Sequence, residues 1–136
     1  MSKAGTRLVA RASARLAAAR YAVDIRTGSH SLTGDEGVSA GGGDTGPAPF
    51  AFVLAGLGAC TAITLRMYAE HNAWPLTGLA VDLEYYRDDD KFRVERVLHI
   101  EGDLSAEQRA RIADIAERTP VTLALKAGAT INTKTA

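Results

Sequence analysis

Apolar and polar positions alternate early in this chain, cluster in its middle, and alternate again in its second half. Tyr21, Val23 and Ile25 interleave with Ala22, Asp24 and Arg26, the period of a half-buried strand. Residues 7–12 read as a short strand before it. Thr27-Gly28-Ser29 is a turn, and residues 30–33 return as the next strand. In the second half, Val81, Leu83 and Tyr85 alternate with Asp82, Glu84 and Tyr86. The polar run RDDDK at 87–91 is a hairpin tip, and a return strand runs from about Phe92 to Glu101. A final strand is expected near residues 130–133, after Gly128.

Between these alternating regions lies the cluster FVLAGLGACTAITLRMYAEH, inside a helix predicted over residues 47–72. The run from Gly46 to Leu65 carries no charge and is almost long enough to span a bilayer. Pro47, Pro49, Gly56, Gly58 and several small residues favour a buried helix of a folded unit instead. Proline is acceptable in the first turn, where its missing N–H has no helical partner anyway. Trp74-Pro75 ends the helix. Ser105 and Gln108 form a capping box, and Ile112, Ile115 and Ala116 make one apolar stripe behind it. Thr119-Pro120 interrupts that helix, and a second short one follows through Leu125. Strands, long helix, two strands, helices and strand predict an α+β fold with a largely antiparallel sheet. The long helix is apolar on nearly every side. A subunit of this size has trouble covering such a helix, so a homodimer with the helix at its centre is expected.

Composition narrows the function classes. At 136 residues the chain is expected to be a single domain, 1–136, with 46% hydrophobic and 24% charged residues. Sixteen Lys+Arg balance sixteen Asp+Glu, and no basic stripe is visible, so nucleic acid is an unexpected partner. No continuous apolar segment at the N-terminus resembles a secretory signal. Residues 1–20 contain Arg, Lys and Ser but no acid, as transit peptides do, yet they run directly into strand-like sequence. The single cysteine, Cys60, suits a reducing compartment, and a cytoplasmic location without membrane insertion is expected.

Several constellations invite a chemical reading. Gly41, Gly43 and Gly46 form a G-x-G-x-x-G that opens a helix. No parallel βαβ unit surrounds it, and Pro47 and Pro49 remove donors where a pyrophosphate would sit, so the glycines are read as turns. His30, His71 and His99 are scattered, so neither a metal nor a cofactor is expected. His71 lies roughly 16 Å along the helix from Cys60, too far for a Cys–His pair. Cys60 shares a helical face with Val53, Gly56, Leu57, Ile63, Thr64 and Met67. Free cysteine usually packs as a small hydrophobe, burial raises its pKa, and its own helix's dipole fades before Cys60. A reactive thiol here needs a nearby cation, for which Arg15 and Arg20 from the N-terminal strands are candidates. Arg96 interrupts the apolar alternation of Phe92, Val94, Leu98 and Ile100. Either a bulge turns it outward, the favoured reading, or it points inward toward an anionic partner.

GGGDTGPAPFAFVLAGLGACTAITLRMYA resembles the signature of the OsmC/Ohr family, in which a glycine-rich loop and a Gly-Pro-x-Pro segment lead into a long helix bearing the peroxidatic cysteine. HSLTGDEG upstream and VERVLHIEGDLSAEQRARIADIAERTPV downstream extend the resemblance over most of residues 28–133, closest to the general OsmC-like branch. The resemblance implies an OsmC-like fold: an intertwined homodimer with long central helices packed against curved antiparallel sheets. It also implies thiol-dependent reduction of organic hydroperoxides. Cys60 would be the nucleophile, activated by an arginine that aligns with Arg20 or, alternatively, Arg15. The family's resolving cysteine falls at Thr119, so an external thiol would recycle Cys60. The family's helix-start glutamate falls at Phe50 or Ala51, with Asp35 or Glu36 as replacements. These departures leave an alternative, a non-catalytic homodimer that binds small molecules or acyl chains.

Overall fold

The computed structural model describes residues 5–136. Two compact units follow each other along the chain, Met1–Phe52 and Val53–Ala136.

The first unit is a three-stranded antiparallel sheet in the order β1-β2-β3, with β1 at Ala12–Leu16, β2 at Val23–Thr27 and β3 at His30–Gly34. Thr27 pairs with His30 across a Gly28-Ser29 turn, and Gly28 supplies the positive φ of 58° that such a turn requires. The strand expected at residues 7–12 starts instead at Ala12. The ladder from Leu16↔Val23 to Ala12↔Thr27 ends where β2 ends, so residues 7–11 run past their pairing partner. Thr27 Oγ1 still donates to the Arg11 carbonyl at 2.9 Å.

After β3 comes a single 3-10 turn, Val38–Ala40, and then the glycine-rich loop. Its organiser is Asp35, which is buried. Its carboxylate accepts from Glu36 N at 2.7 Å, Gly43 N at 3.3 Å, Thr45 N at 3.1 Å and the Thr45 hydroxyl at 2.6 Å. These bonds, the Thr45 hydroxyl first, hold the Asp35 carboxyl below its usual pKa of 3.8. Glycine is required at position 46, where a Cβ would lie 2.1 Å from the Thr33 carbonyl oxygen.

Helix α1, Pro49–His71, leads into the second unit. Two long antiparallel strands follow, β4 at Leu76–Asp88 and β5 at Lys91–Gly102, joined by a tight tip where Asp89 takes φ 58°. Helix α2, Ala106–Ala116, opens on the expected capping box: Ser105 Oγ accepts from Gln108 N, and Gln108 Oε1 accepts from Ser105 N. Helix α3, Pro120–Ala127, completes the unit. Its core is Leu65, Ile112 and Ala116, packed against Trp74, Leu79, Leu98, Ile100, Leu104 and Ile115. The α+β, antiparallel expectation is met.

One further expectation changes. Residues 128–136 form no strand: beyond Gly128, at φ 81°, no ladder pairs with their alternation. The single chain covers only one face of the long helix. Only Leu57, Thr61, Leu65 and Ala69 are buried, a stripe four residues apart, while Ile63 is 55% and Met67 63% exposed. By length and composition alone α1 could cross a membrane. Its regular buried stripe and the salt bridge Arg66–Glu70 belong to a helix with one face on a core.

Candidate active site at Cys60

Cys60 sits beside the buried stripe of α1 and is half-buried. Thr64, one turn on, brings its hydroxyl to 3.8 Å from the sulfur. A second group comes from far along the chain: the backbone N–H of Val121 donates to Cys60 Sγ at 3.5 Å. The start of α3 makes this N–H available. Thr119 is the N-cap, with extended φ −68°, ψ 154°, and Pro120 follows as the first helical residue without an N–H. Val121 therefore carries the first free donor of the helix, with no carbonyl one turn back to accept it. The start of α3, the positive end of its dipole, thus presents a free N–H to the sulfur. Sequence reasoning considered only the dipole of α1, which is indeed too distant. The start of a helix at Thr119-Pro120 was legible. That it would face Cys60 was not, apart from the resemblance that set Thr119 where a resolving cysteine belongs.

Arg96 lies just beneath. The favoured bulge reading is wrong: Arg96 pairs in register with Leu83, and the only irregularity of the β4–β5 ladder is between Leu76 and Gly78. Regular alternation therefore carries Arg96 inward with its apolar neighbours, leaving its side chain 12% exposed. Nη1 donates to Thr61 Oγ1 at 3.0 Å and Thr122 Oγ1 at 2.9 Å. Nη2 donates to the Ala116 carbonyl at 2.9 Å and reaches Glu117 Oε2 at 3.4 Å. Glu117 is the anionic partner of the second reading. Lys126, at 2.9 Å, and then Arg96 hold its carboxyl below its usual pKa. Thr119 is fully buried, its hydroxyl 2.6 Å from that of Thr122. Arg96 and the Val121 N–H are the site groups that sequence reasoning did not assign.

The two arginines expected to serve Cys60 stand in the first unit, whereas Cys60 stands in the second. Arg15 is exposed on β1, paired in register with Asp24. Arg20 lies over the Tyr21 ring, 4.8 Å from its centroid. Of the acids considered as replacements for the missing glutamate, Asp35 is engaged by the loop through both oxygens. In the glycine loop the N–H groups of Gly43 and Thr45 are thus engaged by the chain's own carboxylate. Glu36 lines a cavity of about 740 Å³ on the sheet of the first unit, whose walls include Leu16, Val23, Ile25 and Phe52. Among the described residues no His, Cys, Asp or Glu cluster could hold a metal. His99 instead pairs with Asp82 at 2.8 Å across β4 and β5.

Comparison with known proteins accords with this architecture. An OsmC-like protein from Mycoplasma pneumoniae has a structure similar to this chain, with TM-score 0.77 at 18% identity over 89% of each chain. An organic hydroperoxide resistance protein OsmC from Legionella pneumophila is similar with TM-score 0.67 at 22% identity, over 90% of this chain and 92% of that one. The organic hydroperoxide resistance protein OhrB of Bacillus subtilis gives TM-score 0.60 at 22% identity, over 88% and 91%. No curated protein sequence matches. The family model for OsmC-like proteins matches residues 41–134, a span that includes Cys60, Arg96 and the start of α3, and the chain belongs to that family.

Proposed function

We propose that this protein reduces organic hydroperoxides through Cys60 alone, with an external thiol restoring it. The observation that carries this reading is the half-buried sulfur receiving the Val121 N–H from the start of α3. A thiolate there attacks the peroxide O–O bond. One oxygen stays on sulfur as sulfenic acid, and the other leaves as alkoxide and takes a proton to become the alcohol. Thr119 offers no second thiol, so a small thiol attacks the sulfenic sulfur and releases water, and a second one frees Cys60 as a disulfide forms. The family resemblance, and no contact among the described residues, assigns the role of stabilising the thiolate to Arg20 or, alternatively, Arg15. The working form is a homodimer that covers the exposed flank of α1 around Ile63 and Met67. A reducing cytoplasm suits such a cycle. The names of the relatives from Legionella pneumophila and Bacillus subtilis support the substrate class.

The test is mass spectrometry after one equivalent of cumene hydroperoxide. Cys60 is expected to gain one oxygen, trapped by dimedone, and Cys60→Ser to lose all peroxide consumption. Cys60 remaining a thiol while a control peroxidase oxidises would overturn the reading. The apolar cavity of the first unit favours a second reading, a binding homodimer for small apolar or acyl ligands. That reading expects saturable binding of a fatty acid probe, unchanged in Cys60→Ser.

A further inference from the structure

We propose that Arg96 is a positioning residue for Cys60: it fixes the start of α3 against α1 so that the Val121 N–H meets the sulfur. The proposal rests on the peroxidase reading and names a residue that sets the reactivity of its thiol. The contact between Cys60 and Val121 joins residues 61 positions apart, and one donor bond to sulfur is too weak to hold two elements together. Something else must set the distance. Arg96 does so from β5. Its Nη1 bridges Thr61, the residue after Cys60 on α1, and Thr122, the residue after Val121 on α3. The same nitrogen thus holds the immediate neighbours of both partners in the N–H···S contact. Nη2 holds the other end of the connection, the Ala116 carbonyl where α2 finishes.

The acceptors fit a guanidinium and no other side chain. Two hydroxyls, a carbonyl and a carboxylate lie around one planar fork, and each hydroxyl has an acceptor for its own proton. Thr61 donates to the Leu57 carbonyl at 2.7 Å. Thr122 faces the Ala116 carbonyl at 3.3 Å and Thr119 at 2.6 Å. The charged groups at this site are Arg96, Glu117 on the α2–α3 connection and Lys126 on α3. A lysine at 96 keeps the charge and loses the fork. That substitution separates positioning from simple proximity of a cation.

The experiment measures the rate of Cys60 alkylation by iodoacetamide against pH in the wild-type protein, Arg96→Lys, Arg96→Met and Thr122→Val, with urea denaturation of each. Arg109→Met is the control. Arg109 donates to the Ile100, Gly102 and Leu104 carbonyls in the same unit and does not touch the Cys60 network. The expected result is a roughly tenfold loss of alkylation rate at pH 6 in Arg96→Lys, with the midpoint of the profile moved up by about one pH unit. Thr122→Val is expected to move it in the same direction by less. Arg109→Met is expected to lose stability with an unchanged midpoint. Should Arg96→Met fail to fold, the lysine and Thr122 variants still decide. Unchanged midpoints in both, or an equal shift in Arg109→Met, would overturn the proposal. No peroxide is used, so the outcome is independent of the peroxidase reading. Wild-type Cys60 inert to hydroperoxide, with a shifted midpoint in Arg96→Lys, sinks the activity and leaves the positioning role.

Discussion

Asp35 and Arg96 are both charged groups largely withdrawn from water, one in each unit, and their surroundings satisfy them in opposite ways. Asp35 is held by groups no more than ten residues away, three backbone N–H groups and one hydroxyl of the loop that it closes. Arg96 is held by groups 20 to 35 residues away, on the long helix, at the end of α2 and on α3. The first arrangement organises one loop. The second ties three elements to a strand, and only after the unit has assembled. A local charge is therefore replaceable at local cost, whereas a hub charge transmits its loss to every element that it holds.

The largest expected effect follows from that difference. Arg96→Met removes the guanidinium donor from the Ala116 carbonyl and from two hydroxyls in a nearly dry site. The expected loss is about 2–4 kcal/mol, read as a lower urea midpoint with an unchanged m-value. The exposed half of the network, Glu117 with Lys126, contributes little to this figure. A loss below that of the loop substitution that follows would break the distinction between hub and loop. Gly46→Ala comes next. Its methyl group would stand 2.1 Å from the Thr33 carbonyl oxygen, so the loop must shift away from β3. A cost of about 1–3 kcal/mol is expected from such overpacking. The peptide N–H groups of residues 43 and 45 should exchange faster with solvent, while Cys60 alkylation stays as in the wild type. Slower alkylation in this variant would contradict the local character of the loop.

The same distinction sets what the sequence revealed. Periods of two and of four, the Thr27–His30 turn, the capping box at Ser105 and the proline at the start of α3 are all local, and each was legible. Cys60 was also legible as the candidate nucleophile, through the resemblance around its helix. The groups that surround it were not. Val121 is an unremarkable apolar residue whose contribution is a backbone N–H, and its distance from Cys60 along the chain hides the contact. Arg96 did leave a signal, a cation on an apolar face, but the sequence could not say whether the strand bulged. The regular ladder from Leu79 to Asp88 decides that it did not. The strand expected at residues 7–12 and the one expected at 130–133 failed for a related reason. Alternation specifies a face, and only a partner strand specifies whether a ladder forms.

The smallest effect is the one most dependent on conditions. Asp35 has a folded pKa below its ordinary 3.8, with the Thr45 hydroxyl bond the leading cause. A depressed carboxyl stabilises the fold only where it is ionised. Its contribution is present above pH 3.8 and is lost as pH falls through the lower, folded value. Asp35→Asn removes the charge and turns an amide donor toward N–H groups that need acceptors, so the variant is expected to melt below the wild type at pH 7. The gap should narrow as pH falls below 3.8 and the wild-type carboxyl takes up its own proton. The other depressed carboxylates, Asp88, Asp114 and Glu117, are common to both proteins and cancel in the difference. Thermal melts of the pair at pH 7, 4 and 2 measure it. A gap that stays constant across this range would show that Asp35 acts through shape and not through charge, and would remove the electrostatic half of its contrast with Arg96.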